Sequence, residues 1–322
     1  MNKRYFTFLL MLIVVGVLFT SCRDDDDDAP VTKIGVLYGD DAEANERVKD
    51  VRLTSVKIPY PSSFGYGSLI TLYTYGYTGD GNLKTITAQN WTSEVNENNI
   101  ITRGGYDISS FGGIHESYVS TMELDRNRIV SLSSEGSYAE DTLDYTYSSE
   151  SSFSYNRKGQ LSSCKTTSER KGTKGGEPYS FFNNSEVTFN YSSDHRLLSI
   201  KAVGEYTENE VKSKENYIFT CEYDSTSVQN TFYQYTYGMM CTPIYQLEGY
   251  FYVGLLGKAS SYIPSRYTYS NAWTIEGGET DMSSSSRRAS VRFDDLGKMN
   301  YHDGKYYGYS DISELNQDLR HY

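Results

Sequence analysis

The order of apolar and polar positions divides the chain into three regions. An apolar run without a charge extends from Tyr5 to Phe19. Residues 29 to about 50 hold Ala29-Pro30, a charged stretch from Asp40 to Asp50 and few large apolar side chains. They read as a linker with room for one short helical turn near Ala42 to Val48. From Val51 onward Thr, Ser, Tyr, Phe, Val and Ile alternate in short runs broken by Gly, Asn and Asp, which predicts a succession of short strands.

A repeated unit lies within that third region. With an aromatic residue as origin, a glycine or its substitute stands at +4, an aliphatic at +6 and usually another at +9. Tyr77, Gly81, Leu83 and Ile86 fit, as do Tyr155, Gly159, Leu161 and Cys164, and Tyr191, His195, Leu197 and Ile200. Phe293, Gly297, Met299 and His302 fit more loosely, and Leu124, Asn127, Ile129 and Leu132 form a shorter version. The spacing predicts a hairpin. Thr78, Asn156, Ser192 and Asp294 take the first turn position, where a short polar side chain bonds the local backbone. The +4 residue takes a left-handed conformation that suits glycine, and that His and Asn tolerate better than most. Three residues separate Leu83 from Ile86, which is not strict alternation. It predicts either a bulge or a strand covered by apolar groups on both faces.

The first region carries an address. Lys3 and Arg4, the apolar run of about 15 residues, and the small residues Thr20 and Ser21 before Cys22 form a signal peptide, too short for the roughly 20 residues of a spanning helix. It resembles a bacterial lipoprotein signal, in which lipid is attached to the cysteine. Phe19 departs from that pattern, since leucine is usual three places before the cysteine. The run Asp24, Asp25, Asp26, Asp27 and Asp28 reads by itself as a solvated acidic tether. It also resembles the surface-export signal of Bacteroidota lipoproteins. These resemblances imply lipid attachment at Cys22 and a protein anchored in the outer membrane, facing the cell exterior. The domains are then a signal peptide at 1–21, a lipidated tether and linker at 22–50 and one β-rich domain at 51–322.

Charge and composition narrow the partners. The whole chain has 30 bases and 42 acids, a net −12. Two of the bases leave with the leader, so the acidity belongs to the mature protein. That balance excludes nucleic acid as a partner, and without a polybasic patch the membrane is met through the N-terminal lipid only. The aromatic surplus is mostly its 32 tyrosines, which favour half-buried pleated surfaces and place the chain among β-rich proteins.

The hairpin units resemble the YD-type hairpins of RHS-like proteins. They resemble more closely a Bacteroidota lipoprotein family whose domain has been described as porin-like. That second resemblance also rests on Gly257-Lys-Ala-Ser260-Ser-Tyr-Ile263-Pro264 followed by Tyr267-x-Tyr269. It implies an all-β fold with little helix, a meandering antiparallel sheet curled into an open or closed barrel, and it brings no activity. A membrane-spanning barrel is not expected, because the runs are short and carry Ser, Asn and Lys on both parities, where a lipid-facing row must be apolar.

Candidate chemistry is sparse. Cys164 and Cys221 sit at strand positions and read as small apolar residues, although one disulfide among Cys164, Cys221 and Cys241 is compatible with export. His115, His195, His302 and His321 show no metal-ligand spacing, and no nucleophile elbow or phosphate loop is present. No cofactor, metal or catalytic residue is expected. Lys165 to Lys174 and Ser283 to Arg288 read as solvated loops. Trp91 and Trp273 are the candidates for stacking a sugar. Tyr267, Tyr269, Asn271, Trp273 and Ile275 share one strand face, which either binds or packs on the core. The apolar stretch Phe232 to Tyr262 is either a crossover plugging one end of the sheet or the wall of an apolar cavity. The expected function is a non-catalytic binding module for an apolar or glycan ligand. The alternatives are a structural or accessory subunit of a surface complex and a hydrolase with an unrecognised site.

Overall fold

The computed structural model describes residues 51–61, 68–78, 83–88, 91–96, 100–109, 114–126, 128–225, 227–229, 247–251, 253–258, 260–293, 299–302 and 305–311. The leader, Cys22, Asp24 to Asp28, the linker, Cys241 and the stretch from Phe232 to Gln246 lie outside the described residues.

Strands dominate. The first twelve are β1 (Val51–Pro61), β2 (Ser68–Tyr77), β3 (Leu83–Ala88), β4 (Trp91–Val95), β5 (Ile100–Ser109), β6 (Ile114–Asp125), β7 (Arg128–Glu140), β8 (Leu143–Tyr155), β9 (Leu161–Lys174), β10 (Glu177–Tyr191), β11 (Leu197–Glu208) and β12 (Val211–Glu222). Each pairs antiparallel with the next. A crossover then carries β13 (Val228–Gln229), the four-residue helix α1 (Glu248–Phe251) and β14 (Tyr262–Ile263), with β13 paired to β14. β15 (Arg266–Ile275) joins β12, and β16 (Thr280–Arg288) joins β15. A final meander of β17 (Val291–Phe293), β18 (Met299–His302) and β19 (Lys305–Asp311) returns to pair with β1.

The register therefore runs unbroken from β17 through β1 to β16. Only Ala289 and Ser290 separate the two ends in the chain, so the sheet has to curl back on itself. Among the described residues no register pairs link β16 to β17, and the curled sheet is left unclosed there. The expected all-β meander with little helix is what the chain forms.

The hairpin units fold as their spacing requires, and the bulge is the alternative that holds. Register slips between Gly76 and Tyr77, Glu123 and Leu124, Ser154 and Tyr155, Asn190 and Tyr191, and Arg292 and Phe293, at the origin of each unit. The slip lets Tyr155, Leu161 and Cys164 face inward although their spacing breaks alternation. Asn156 Oδ1 accepts from the amides of Lys158 at 2.9 Å and Gln160 at 3.0 Å. Ser192 Oγ accepts likewise from the amide of Arg196 at 3.0 Å. Gly159 takes φ 74° and His195 φ 69°, the left-handed conformation expected at that position.

Two expectations are corrected. The strands are not short: β6 to β12 run from 12 to 15 residues. Lys165 to Lys174 and Ser283 to Arg288 are not loops but parts of β9 and β16. In β9 the inward positions are Cys164, Thr166, Ser168 and Arg170, alternating with exposed Lys165, Thr167, Glu169 and Lys171. Serine and threonine on the inner parity hide that alternation from any reading based on hydrophobicity.

The core fills one end of the curled sheet. Met122, Ile129, Leu132, Phe153, Leu161, Val187, Phe189, Leu197, Ile200 and Phe219 line it from the strands, and Leu247, Tyr250, Val253, Leu255 and Leu256 enter it from the crossover. The described half of the apolar stretch is thus a plug, and burying each large apolar side chain contributes about 1.5–3 kcal/mol. Cys164 and Cys221 are buried thiols within this core, and neither is joined in a disulfide.

The segment from Leu255 to Ser261 is stitched across the hairpin turns. Leu255 O accepts from the Ile129 amide at 2.8 Å, and Gly159 O from the Lys258 amide at 2.8 Å. His195 O accepts from the Ser261 amide at 3.1 Å and from Gln160 Nε2 at 3.0 Å. Ser260 Oγ accepts from the Leu197 amide at 3.1 Å and donates to Tyr262 O at 2.7 Å.

Candidate functional site

Away from the plug, the inner wall changes character. One row of directly opposed residues crosses nine strands: Ser93, Arg103, Ser120, Ser134, Ser149, Ser168, Asn183, Tyr206 and Ser213, on β4 to β12. Small polar side chains replace the aliphatics of the core and interlock. Arg103 Nη2 donates to Ser120 Oγ at 3.2 Å, and Ser134 Oγ donates to the same oxygen at 2.7 Å. Ser93 hydrogen-bonds the plug hydroxyl of Tyr250, which joins this girdle to the core.

The next row outward is aromatic. Trp91, Gly105, Tyr118, Gly136, Tyr147, Arg170 and Phe181 face one another on β4 to β10. Tyr147 lies over Gly136, where a Cβ would come within 2.7 Å of its ring. Guanidinium groups are held between rings: Arg103 between Trp91 at 5.3 Å and Tyr118 at 5.2 Å, and Arg170 between Tyr145 at 5.3 Å and Phe181 at 4.8 Å. Burial and the nearby Glu116 carboxylate push the Tyr147 hydroxyl well above the usual phenol range. The hydrogen bond to Glu140 pushes Tyr138 up to about 12.

The two candidate tryptophans occupy different surroundings on this wall. Trp91 stacks on Tyr250 of α1 with ring centroids 5.8 Å apart, and Tyr73 tilts against it at 6.0 Å. Trp273 lies on β15, half-buried, with the Tyr206 ring 4.9 Å away. Among the described residues no ring contact joins the two tryptophans. The shared face of β15 is the inner one. It begins in the core at Tyr267 and ends half-buried near Trp273.

Around Trp273 and Asn271, which share the expected face of β15, the structure assembles groups from other strands that the sequence did not single out. Ser185, Gly204, Glu215 and Trp273 oppose one another on β10, β11, β12 and β15. Gly204 leaves space that Tyr206 fills by folding across it. The Tyr206 hydroxyl donates to Glu215 Oε2 at 2.7 Å, and Asn271 Nδ2 donates to Glu215 Oε1 at 2.9 Å. Three buried acceptors beside this cluster have no hydrogen-bond partner: Asn183 Oδ1, Ser185 Oγ and Asn271 Oδ1. The only signal for them in the sequence is Asn and Ser at every second position of aromatic strands.

The outer face is different again. It presents charged and hydroxyl side chains in open troughs. One of about 640 Å3 lies over Glu135, Ser148, Glu169 and Lys171, and another of about 530 Å3 over Phe182, Glu205, Lys212 and Lys214. Glu205 and Lys214 pair there at 2.8 Å. Among the described residues no group of three or more His, Cys, Asp and Glu is placed to hold a metal ion.

No protein-family model and no curated protein matches the chain. Among solved structures it is similar to a porin-like protein from Bacteroides uniformis, with 15% sequence identity and a TM-score of 0.45 over 80% of this chain and 95% of that one.

Proposed function

We propose that the chain is a non-catalytic binding protein, lipid-anchored at Cys22 and displayed on the outer face of the outer membrane, which holds an apolar or glycan ligand against the inner wall of its sheet. One observation carries the reading: away from the plug the inner wall is lined by hydroxyls, amides and aromatic faces, with polar atoms left unmatched beside Trp273. A wall serving only as core would be aliphatic throughout. Trp91, already stacked on the plug, serves the edge of the site, and Trp273 its floor.

The same chemistry argues for a domain standing in water. β8 and β9 are long enough to cross a bilayer, but their outward positions include Asp144, Glu150, Lys165, Glu169 and Lys171. A lysine facing lipid at the midplane costs about 2–4 kcal/mol. The membrane is then reached through the N-terminal lipid alone, with Asp24 to Asp28 directing the protein outward.

Two measurements test the reading. Replacing Asp24 to Asp28 by alanine leaves a lipoprotein that added protease no longer reaches on whole cells, and unchanged digestion refutes the export role. With its leader exchanged for a conventional secretory signal, the Cys22→Ser chain is secreted without lipid and should retain a ligand from a glycan and fatty-acid array. Retention of none removes the binding role.

A further inference from the structure

We infer that the inner wall formed by β10, β11, β12 and β15 is a subsite for a short neutral oligosaccharide, with Trp273 as the stacking platform and Asn183, Ser185, Glu215 and Asn271 as its hydroxyl contacts. The inference rests on the proposed inner-wall binding role and specifies the ligand class.

Three features select that class. The unmatched atoms are acceptors: two amide oxygens, and a serine hydroxyl that can also donate. Asn183 and Ser185 are 6% and 5% exposed, so leaving them unmatched is costly, and an apolar ligand would not relieve it. A donor-rich ligand would, and sugar hydroxyls are donors.

Charge is the second feature. Glu215 is the charged side chain of the patch, while the cations of these four strands, Lys201, Lys212, Lys214 and Arg266, stand on the outward parity. On these four strands an anionic sugar, a phosphate or a fatty-acid carboxylate would meet a carboxylate with no counter-charge. The inward cations of the flanking strands, Arg170 of β9 and Arg287 of β16, are held over the rings of Phe181 and Tyr267, and Asp281 of β16 stands directly opposite Trp273. Both Glu215 oxygens already accept a hydrogen bond, which fixes the carboxylate as a rigid acceptor rather than a receptor for a mobile cation.

Extent is the third. Strands lie about 4.8 Å apart, so Asn183 and Ser185 on β10 are roughly 14 Å across the sheet from Asn271 on β15. That span matches a chain of sugar units laid across the strands, and exceeds a single ring or a point charge. The Tyr206 and Trp273 rings lie along the same path and offer the apolar faces on which pyranose C–H groups pack. β16, exposed on both faces at the unclosed edge, leaves the β15 side of the wall open to approach.

The test uses the Cys22→Ser chain and calorimetric titration with maltohexaose, cellohexaose, xylohexaose and mannohexaose, with choline and palmitate as the other two classes. One hexasaccharide should bind saturably and quench tryptophan fluorescence. Trp273→Ala should weaken it about tenfold or more, and Glu215→Gln should weaken it severalfold. Both variants should keep the parent melting temperature, and Trp273→Phe, which preserves an aromatic face, should restore part of the affinity. Palmitate or choline binding that depends on Trp273, with no sugar bound, overturns the sugar subsite while leaving the inner-wall role standing. Sugar binding indifferent to all three substitutions also overturns the subsite. Failure of every probe removes both.

Discussion

Gly257 shows how much a single residue can decide in this fold. Its φ of 85° lies in the left-handed region, and a Cβ placed there would come within 2.5 Å of Gly159 O, a backbone atom of the neighbouring turn. Neither constraint can relax alone, because Lys258 N is bonded to that same oxygen at 2.8 Å. Gly257→Ala should therefore cost about 2–4 kcal/mol from backbone strain and overpacking together, read as a lower denaturation midpoint in urea. Gly159→Ala shares the backbone strain but meets the mobile end of Arg128 instead, so its cost should be smaller. Gly257 was visible in the sequence as part of a motif. Its reason was not, since the obstructing carbonyl lies almost a hundred positions away.

At the scale of the element, the hairpin unit explains itself in part. The spacing foretold the turn and the bulge, and both are present because each follows from local backbone geometry. A further device connects one unit to another: the tyrosine at the end of a strand reaches a backbone carbonyl on a different hairpin. Tyr155 OH donates to Ile129 O at 2.6 Å, Tyr223 OH to Leu197 O at 2.8 Å and Tyr77 OH to Leu53 O at 2.7 Å. Tyr223 belongs to this series although no unit was recognised around it, because its turn leads into the crossover rather than a return strand. Tyr155→Phe should keep the ring beneath the Arg128 guanidinium, 5.0 Å away, and lose only the hydroxyl. The expected cost is about 1 kcal/mol with an unchanged unfolding slope, measured by urea titration. A cost near zero would mean that the clasp is decoration.

The whole molecule concentrates buried phenols and a buried thiol on one inner face, and its stability should respond to alkali. Burial pushes Cys164 up to about 12, the Glu140 hydrogen bond pushes Tyr138 to about 12, and burial raises Tyr145, Tyr147, Tyr223 and Tyr250 above the usual phenol range. Folded values above unfolded ones mean that the folded chain holds protons that the unfolded chain releases. Their contribution is complete below the unfolded values of 9.0 for the thiol and 10.0 for the phenols, and is lost as pH climbs toward the folded ones. Absorbance at 295 nm should show some of the 32 tyrosines ionising only with unfolding, and the downward titration should retrace a different curve. Superimposable curves centred near 10 would contradict the buried assignments.

Sequence and tertiary structure divided the work along the range of the interactions. The all-β character and the hairpin turns were legible because each depends on residues a few places apart: a polar side chain at the first turn position and an αL position four residues after an aromatic. Long strands such as β9 were misread because serine and threonine fill their inner parity, and a hydroxyl gives the same composition in a solvated loop as on a buried wall. The plug, the curl of the sheet and the grouping of Asn183, Ser185, Glu215, Asn271 and Trp273 were decided only by folding. Those five come from three strands, β10, β12 and β15, and about ninety positions of chain. Cross-strand register, which is set by pairing between distant segments, is what places them side by side.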